Sequence, residues 1–238
     1  MNIALLTAAG KGSRMNSEIP KQFIHIQNKP VILYTMTAFQ NHPQIDAIII
    51  VSLDNWKEMI WSYAKQYKIS KLKWVVQGGA TGQESIKNGL LKLKNSCNSD
   101  DMVMIHDGNR PLISNDVISD SIATYQTYGD AVAAIPCIEA IYKSNNGKES
   151  TITLDRNEMF RTQTPHTYSL GKLLWAHDEA KKRHIENTTA TCTLMTLLGK
   201  TVHFSRGSEK NLKLTTREDI DIFTALIRKG ASDELLLQ

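Results

Sequence analysis

Cysteine is scarce in this chain and poorly spaced for metal binding. Cys97, Cys137 and Cys192 are odd in number and form no C-x-x-C pair, which argues against a thiolate metal centre and for a reducing compartment. No apolar run is long enough to cross a bilayer, and no leader-like segment stands before the first apolar strand, so a cytoplasmic protein is expected. Nor is there a dense Lys/Arg run with interleaved aromatics. The formal net charge of +4 suits a small anionic substrate rather than nucleic acid. Internal repeats, low-complexity tracts and linkers are missing too. The 238 residues, 41% hydrophobic and 22% charged, are therefore expected to form one soluble domain spanning 1–238. Two common phosphate signatures are also absent. The P-loop pattern G-x-x-x-x-G-K-S/T does not occur, and Met15 stands where a G-x-G-x-x-G fingerprint needs its third glycine.

What is present begins with Asn2–Phe23, NIALLTAAGKGSRMNSEIPKQF. Asn2–Thr7 reads as a short buried strand. It runs into Ala8-Ala9-Gly10-Lys11-Gly12-Ser13-Arg14, where small residues let a backbone loop approach an anion and aim N–H groups at it. Arg14 offers bidentate contacts to phosphate oxygens, and Lys21 supplies a compact point charge. The loop is a candidate polyphosphate cradle; a tight strand-to-helix turn is the plainer reading of the loop alone.

Downstream, strands and helices alternate. Helices are expected over Pro30–Gln40, Asn55–Tyr67, Gly82–Lys94, Ser114–Tyr128, Leu170–Arg183 and Thr216–Arg228. Strands are expected over Asp46–Ser52, Leu72–Gln77, Met102–Ile105, Asp130–Ile135 and Val202–Ser205. Lys229–Gln238 reads as a frayed tail. This order implies an α/β fold, a doubly wound and mostly parallel Rossmann-like sheet with ligands outside the carboxyl ends of its strands. Trp56, Tyr63 and Tyr67 read as packing. Thr81-x-x-Glu84 and Thr215-x-x-Glu218 have capping-box spacing. Asp107 and Arg110 leave a strand end together. Asp107 could hold a metal, a ribose or an acceptor hydroxyl, and Arg110 an acceptor phosphate, or the two could simply fix a turn. His106 reads as structural. Cys137–Arg156 encloses Asn145-Asn146-Gly147, a strong hairpin-turn signal.

The string AAGxGxRM…PKQF resembles the nucleotide loop of cytidylyltransferases that act on methylerythritol phosphate and ribitol phosphate. Further motifs follow in the same order. Gln77-Gly78-Gly79 through Ser85 resembles GGxxRxxS, with Gly82 where arginine is common, and implies that Gly78, Gly79 and Ser85 meet the cytosine edge. His106–Pro111 resembles HDAARP or HDSVRP, with Gly108-Asn109 in the middle. Gln163-Thr164-Pro165 resembles the QTP turn, with His166 where glutamine is commoner. Thr189–Thr193 is similar to TDxAS. Asn211-x-Lys213-x-Thr215 resembles the ending whose lysine reaches the α-phosphate. The hairpin of about 137–156 is similar to a protruding arm that embraces a second subunit, which implies a homodimer with Asp155-Arg156 serving the neighbour's acceptor pocket. Glu139-Ala140-Ile141-Tyr142 stands where methylerythritol enzymes have Asp-Thr-Ile-Lys, which favours another polyol.

The resemblance implies that CTP and a polyol phosphate react to give a CDP-polyol and pyrophosphate. An acceptor such as ribitol 5-phosphate would belong to surface-polymer synthesis; 2-C-methyl-D-erythritol 4-phosphate, of isoprenoid synthesis, stays open as the alternative, as do another donor nucleotide and a silent nucleotide-binding relative. A phosphate monoester is largely a dianion at neutral pH, its second pKa being ~6, so no general base is needed, in keeping with the absence of a Ser/His/Asp or Cys/His triad. Rate enhancement must then come from positioning and charge stabilisation. Arg14, Lys21 and Lys213 are the catalytic candidates. Ala8, Ala9, Gly10, Gly12, Ser13, Gly78, Gly79, Ser85, Asp107 and Thr189 are the nucleotide candidates, and Asp107, Arg110 and Arg156 the acceptor candidates. Mg²⁺ is expected mainly on the phosphates, with Asp107 as its protein ligand.

Overall fold

The computed structural model describes residues 1–10 and 19–235, with side chains as far as Arg228. Strand β1 (Asn2–Ala8) is almost wholly buried, as a continuous apolar run covered on both faces requires. It pairs in parallel with β4 (Ala47–Ser52) on one side and β6 (Met102–Asp107) on the other, and β4 pairs in parallel with β5 (Leu72–Gln77). Between β1 and β4 lie two-residue strands β2 (His25–Ile26) and β3 (Lys29–Pro30) and helix α1 (Val31–Asn41). Helices α2 (Lys57–Gln66) and α3 (Gly82–Lys94) carry the chain from β4 to β5 and from β5 to β6. After β5 the chain crosses back to the far side of β1. The strand order therefore reverses between β1 and β6, and this reversal opens a crevice at the carboxyl edge.

The second half is α4 (Asn115–Tyr128), β7 (Asp130–Pro136), β8 (Ile141–Lys143), β9 (Ile152–Leu154), β10 (Phe160–Ser169), α5 (Leu170–Lys182), α6 (Thr191–Leu197), β11 (Phe204–Arg206) and α7 (Arg217–Leu235). The main sheet runs β11-β7-β10-β6-β1-β4-β5. Strand β10 is antiparallel to both neighbours and all other pairs are parallel. Its register breaks between Thr162 and His166, around the cis Thr164–Pro165 bond. The resemblance to the QTP motif implied a turn here. The proline, which cannot donate to a ladder, interrupts a strand buried in the sheet interior.

Alternate residues of the central strands face opposite layers. Ala4, Leu6, Ile48 and Ile50 pack against α1, α2 and α4 through Met36, Phe39, Ile60 and Ile118. Ile3, Leu5, Ile49 and Val51 face α3, α5 and α6 through Leu90, Leu173 and Leu194. Trp56 and Tyr67 pack against the first layer, with Trp56 stacked on Phe23 at 4.0 Å between centroids. A third cluster joins Ile26 and Val31 to Leu214 and Phe223, seating α7 beside the β2–β3 segment. That helix continues to Leu235, past the Arg228 boundary expected from sequence.

Strands β8 and β9 form a separate two-stranded hairpin. Its loop is longer than the Asn-Gly signal suggests. Asn146 Oδ1 accepts the amides of Lys148 and Glu149, and Gly147 takes a φ of 68°, a left-handed conformation that favours glycine.

Tyr168 on β10 is fully buried, and its hydroxyl has no hydrogen-bond partner among the described residues. A buried unsatisfied group of this kind costs about 1–3 kcal/mol. Tyr168→Phe is therefore expected to leave stability unchanged or raise it by up to that amount, read as the urea midpoint at constant slope; a lower midpoint would contradict the assignment.

Candidate active site

The crevice holds two adjoining cavities at the carboxyl edge, of about 820 and 360 Å³. Thr7, Gly82, Asp107 and Lys213 line both. The larger one is built from the ends of β1 and β5. Ala8, Ala9, Gly10 and Lys21 form one lip, and Gly78, Gly79 and Ser85 the other. Gly12, Ser13 and Arg14 lie outside the described residues. The lips meet closely. A Cβ on Gly78 would fall 2.3 Å from the Ala9 Cβ, and one on Gly79 would fall 2.4 Å from the Glu84 Cβ, so no larger residue fits either position without displacement. Buried Gln22, from the PKQF motif, donates to the carbonyls of Ala8 at 2.6 Å and Gly10 at 3.1 Å. It fixes the start of the opening loop, a role the sequence pattern did not reveal.

The second lip is braced internally. Thr81 caps α3 by accepting the Glu84 amide, while the Glu84 carboxylate accepts the Ala80 amide at 2.8 Å. Ser85 Oγ accepts the Gly79 amide at 3.0 Å and donates to the Thr81 carbonyl at 2.8 Å. Ser85 is thus engaged in shaping the loop as well as lining the cavity.

Asp107 ends β6 at the junction. Arg110 Nε lies 2.9 Å from one of its oxygens, and Lys213 Nζ lies 3.1 Å from both. Burial works to raise the Asp107 pKa, but Lys213 and then Arg110 outweigh it and hold the carboxyl well below the usual carboxylate range. The Asp–Arg pairing is therefore real, and Lys213 extends it into a triad. Lys213 is 41% exposed against 16% for Asp107 and 12% for Arg110, which makes it the member open to a ligand.

Hydrogen bonds lace this triad to β10 and to the 208–214 segment. Arg110 Nη1 donates to the Asn211 carbonyl at 2.7 Å. Asn211, fully buried, donates to the Thr164 carbonyl at 2.8 Å. Gln163 donates to the Ser208 carbonyl and accepts the Ser208 amide, and Leu214 and Asn109 exchange two bonds. Beneath lies His106, fully buried, with burial pushing its pKa down to about 4. Its Nε2 faces the Arg110 carbonyl at 3.2 Å and must carry the proton, so Nδ1 accepts from the Thr164 hydroxyl at 3.1 Å. Thr164 in turn accepts the Asp107 amide. The imidazole is a structural support.

The smaller cavity is rich in hydroxyls. Thr162, Thr164, Thr188, Thr189, Thr191 and Thr193 line it together with Arg110, His166 and His177. Thr189, expected at the nucleotide, lies on this wall. Thr191 and Thr193 belong to the stretch similar to TDxAS, but the helix α6 that presents them was not expected, and buried His177 on α5 carried no signal that pattern reading could use. Arg156 lines neither cavity. It is exposed, and its guanidinium donates to the Ile138 carbonyl at 3.0 Å.

The described residues contain no group of three His, Cys, Asp or Glu side chains able to hold a metal. Asp107 is the one carboxylate shared by both cavities, since Asp54, in the larger, is paired with Lys57 at 2.7 Å. A cation needing about six oxygens fits here with most of them supplied by phosphates and water.

Residues 2–229 match the family model of IspD, 2-C-methyl-D-erythritol 4-phosphate cytidylyltransferase. The chain belongs to this family. A ribitol-5-phosphate cytidylyltransferase of Lacticaseibacillus paracasei is 41% identical over 231 residues, covering 96% of this chain and 99% of that one. A 2-C-methyl-D-erythritol 4-phosphate cytidylyltransferase of Clostridium botulinum is 36% identical, covering 96% and 98%. The solved 4-diphosphocytidyl-2C-methyl-D-erythritol synthase of Anaerococcus prevotii aligns with a TM-score of 0.81 at 21% identity, over 96% of this chain and 98% of that one, and shows the shared fold.

His166 and His177 also have pKa values pushed down to about 4, chiefly by burial. Unfolded imidazole titrates near ~6.5, so between these values the unfolded chain binds the extra protons. Stability should hold above pH ~6.5 and fall towards pH ~4, by about 1.4 kcal/mol per pH unit for each histidine. His177→Gln is expected to flatten this decline in urea midpoints, and an unchanged slope would show that His177 is charged in the folded state.

Proposed function

We propose that this protein transfers the cytidylyl group of CTP to a polyol phosphate, with ribitol 5-phosphate as the acceptor. The observation that carries the reading is the meeting of two cavities at Asp107 and Lys213. The larger has backbone-rich lips suited to a nucleoside triphosphate, and the smaller is lined by seven threonines, Thr7 among them, a polar wall suited to a polyol chain. The 41% identity to a ribitol-5-phosphate enzyme supports the choice of acceptor, as does Ala140 in place of the threonine of methylerythritol enzymes. The family model and the 36% relative keep 2-C-methyl-D-erythritol 4-phosphate as the competing acceptor.

In this reading the acceptor phosphate, already a dianion, attacks the α-phosphorus of CTP and pyrophosphate leaves. Negative charge grows on the phosphoryl oxygens in the transition state, and cations aimed there lower the barrier. Lys213, at the junction and half-exposed, exchanges part of its contact with Asp107 for the α-phosphate. Lys21 on the opening lip, with Arg14, neutralises the rest. Arg110, kept in place by Asp107 and the Asn211 carbonyl, holds the acceptor phosphate on the other side. Mg²⁺ bound with the triphosphate would offset further charge, with Asp107 as its protein ligand. The β8–β9 hairpin is assigned to contact with a second copy of the chain, on the exposed Ile138, Tyr142 and Ile152, bringing Arg156 to the partner's acceptor cavity.

Pyrophosphate release from CTP and Mg²⁺ should be clearly faster with ribitol 5-phosphate than with 2-C-methyl-D-erythritol 4-phosphate or glycerol phosphates. A reversed order would transfer the assignment to the methylerythritol acceptor. Lys213→Ala should lower kcat by about 10²-fold with a much smaller change in KM; an unchanged kcat would remove Lys213 from the chemistry. Arg156→Ala should raise the acceptor KM while CTP binding stays unaltered.

A further inference from the structure

The wall of the smaller cavity includes a stretch that is poorly held by its own backbone. Between the end of α5 and the start of α6, residues 185–190 form no regular element, and His184 and Asn187 adopt φ values of 53° and 52°. Histidine and asparagine adopt left-handed backbone more readily than most non-glycine residues, so what distinguishes this stretch is its side-chain support. That support comes from Gln83, the second residue of α3. Its Oε1 accepts the Thr188 amide at 2.9 Å and the Thr188 hydroxyl at 3.0 Å, and its Nε2 donates to the Ile185 carbonyl at 3.0 Å.

The orientation of this amide is fixed by chemistry. A backbone N–H can only donate and a carbonyl can only accept, so no flipped Gln83 satisfies both ends. The other end of the connection lies in the nucleotide lip. Gln83 stands between Gly82, which lines both cavities, and the Glu84 and Ser85 side chains that shape the Gly79–Thr81 turn. One half-buried side chain thus spans from the loop at the larger cavity to Thr188, from which Thr189, Thr191 and Thr193 follow along the smaller one.

We infer that Gln83 is a positioning residue for the acceptor: it ties the threonine wall of the smaller cavity to the nucleotide lip and sets the geometry in which the polyol hydroxyls are bound. The inference rests on the proposed reading of the smaller cavity as the acceptor site. Gln83 touches no reacting atom, so its removal acts on acceptor binding more than on turnover.

The test pairs Gln83→Leu, which keeps bulk and loses all three bonds, with Gln83→Glu, which keeps the two accepted from Thr188 and loses the one donated to Ile185. With CTP and ribitol 5-phosphate, Gln83→Leu should raise the acceptor KM about tenfold, leave the CTP KM within about twofold and leave kcat nearly unchanged. Gln83→Glu should recover part of the loss. Hydrogen exchange on the ligand-free protein supplies the second readout, in which the Thr188 amide should exchange faster in Gln83→Leu while the α3 amides do not. An acceptor KM equal to that of the wild type, or acceptor and CTP KM values rising together, would overturn the inference. If ribitol 5-phosphate proves not to be the acceptor, wild-type turnover is lost while Thr188 exchange remains readable. Equal exchange in wild type and Gln83→Leu would then overturn the tie itself.

Discussion

The site depends on a largely buried carboxylate that is kept charged by two cations. Desolvation penalises an ionised Asp107, and chiefly the nearby Lys213 and Arg110 make that state favourable. Each member restricts the others. Arg110 cannot leave without stranding Asp107, and its second bond, to the Asn211 carbonyl, holds the segment that carries Lys213. The 208–214 segment has no regular secondary structure, so its position is set by this triad and by Gln163, Asn109 and Thr164. Removing any of these partners loosens the placement of a lysine that backbone geometry alone does not fix.

The same arrangement divides labour among the charges. Arg110 is nearly buried and doubly engaged, a fixed point with little freedom to follow a moving phosphate. Lys213 is held by one flexible side chain, with two equal distances to the carboxylate, and can exchange one set of oxygens for another at low cost. A planar guanidinium suits the first role and a compact ammonium the second. His106, neutral and wholly buried, stiffens the strand end without adding charge beside Asp107.

Much of the fold was legible in the chain. Continuous apolar runs such as Ala47–Ser52 announce strands covered on both faces, and Thr81 marks a helix start that the structure confirms as a side-chain cap, whereas the Thr215–Glu218 box is displaced by one residue, to Thr216 and Asp219. The antiparallel β10 was not legible. Its Thr-Gln-Thr-Pro core has neither the alternation nor the apolar content of a strand, because its early residues face the site and a proline breaks its ladder. At the site, Ala8, Gly78, Asp107 and Lys213 could be found from motifs because they stand at strand ends or in short strings. Gln22 and Asn211 stand inside matched strings, but the strings did not show what each side chain holds in place. Gln83 and His177 had no signal of their own, and Gln83 matters through a partner far away in the sequence, Thr188. Thr189 was identifiable as a site residue, but only the topology placed it across the junction from the nucleotide lip.

The reversed strand has one more consequence. In a wholly parallel sheet, every connection that leaves the ligand edge must return through the opposite edge. Because β7 ends and β10 begins side by side, with Pro136 paired to Phe160, residues 137–159 depart and come back at the same edge of the sheet. That excursion can be lengthened, shortened or exchanged without altering a single crossing of the sheet. A protein built this way can remodel one appendage beside the carboxyl edge of its sheet while its folding core stays as it was.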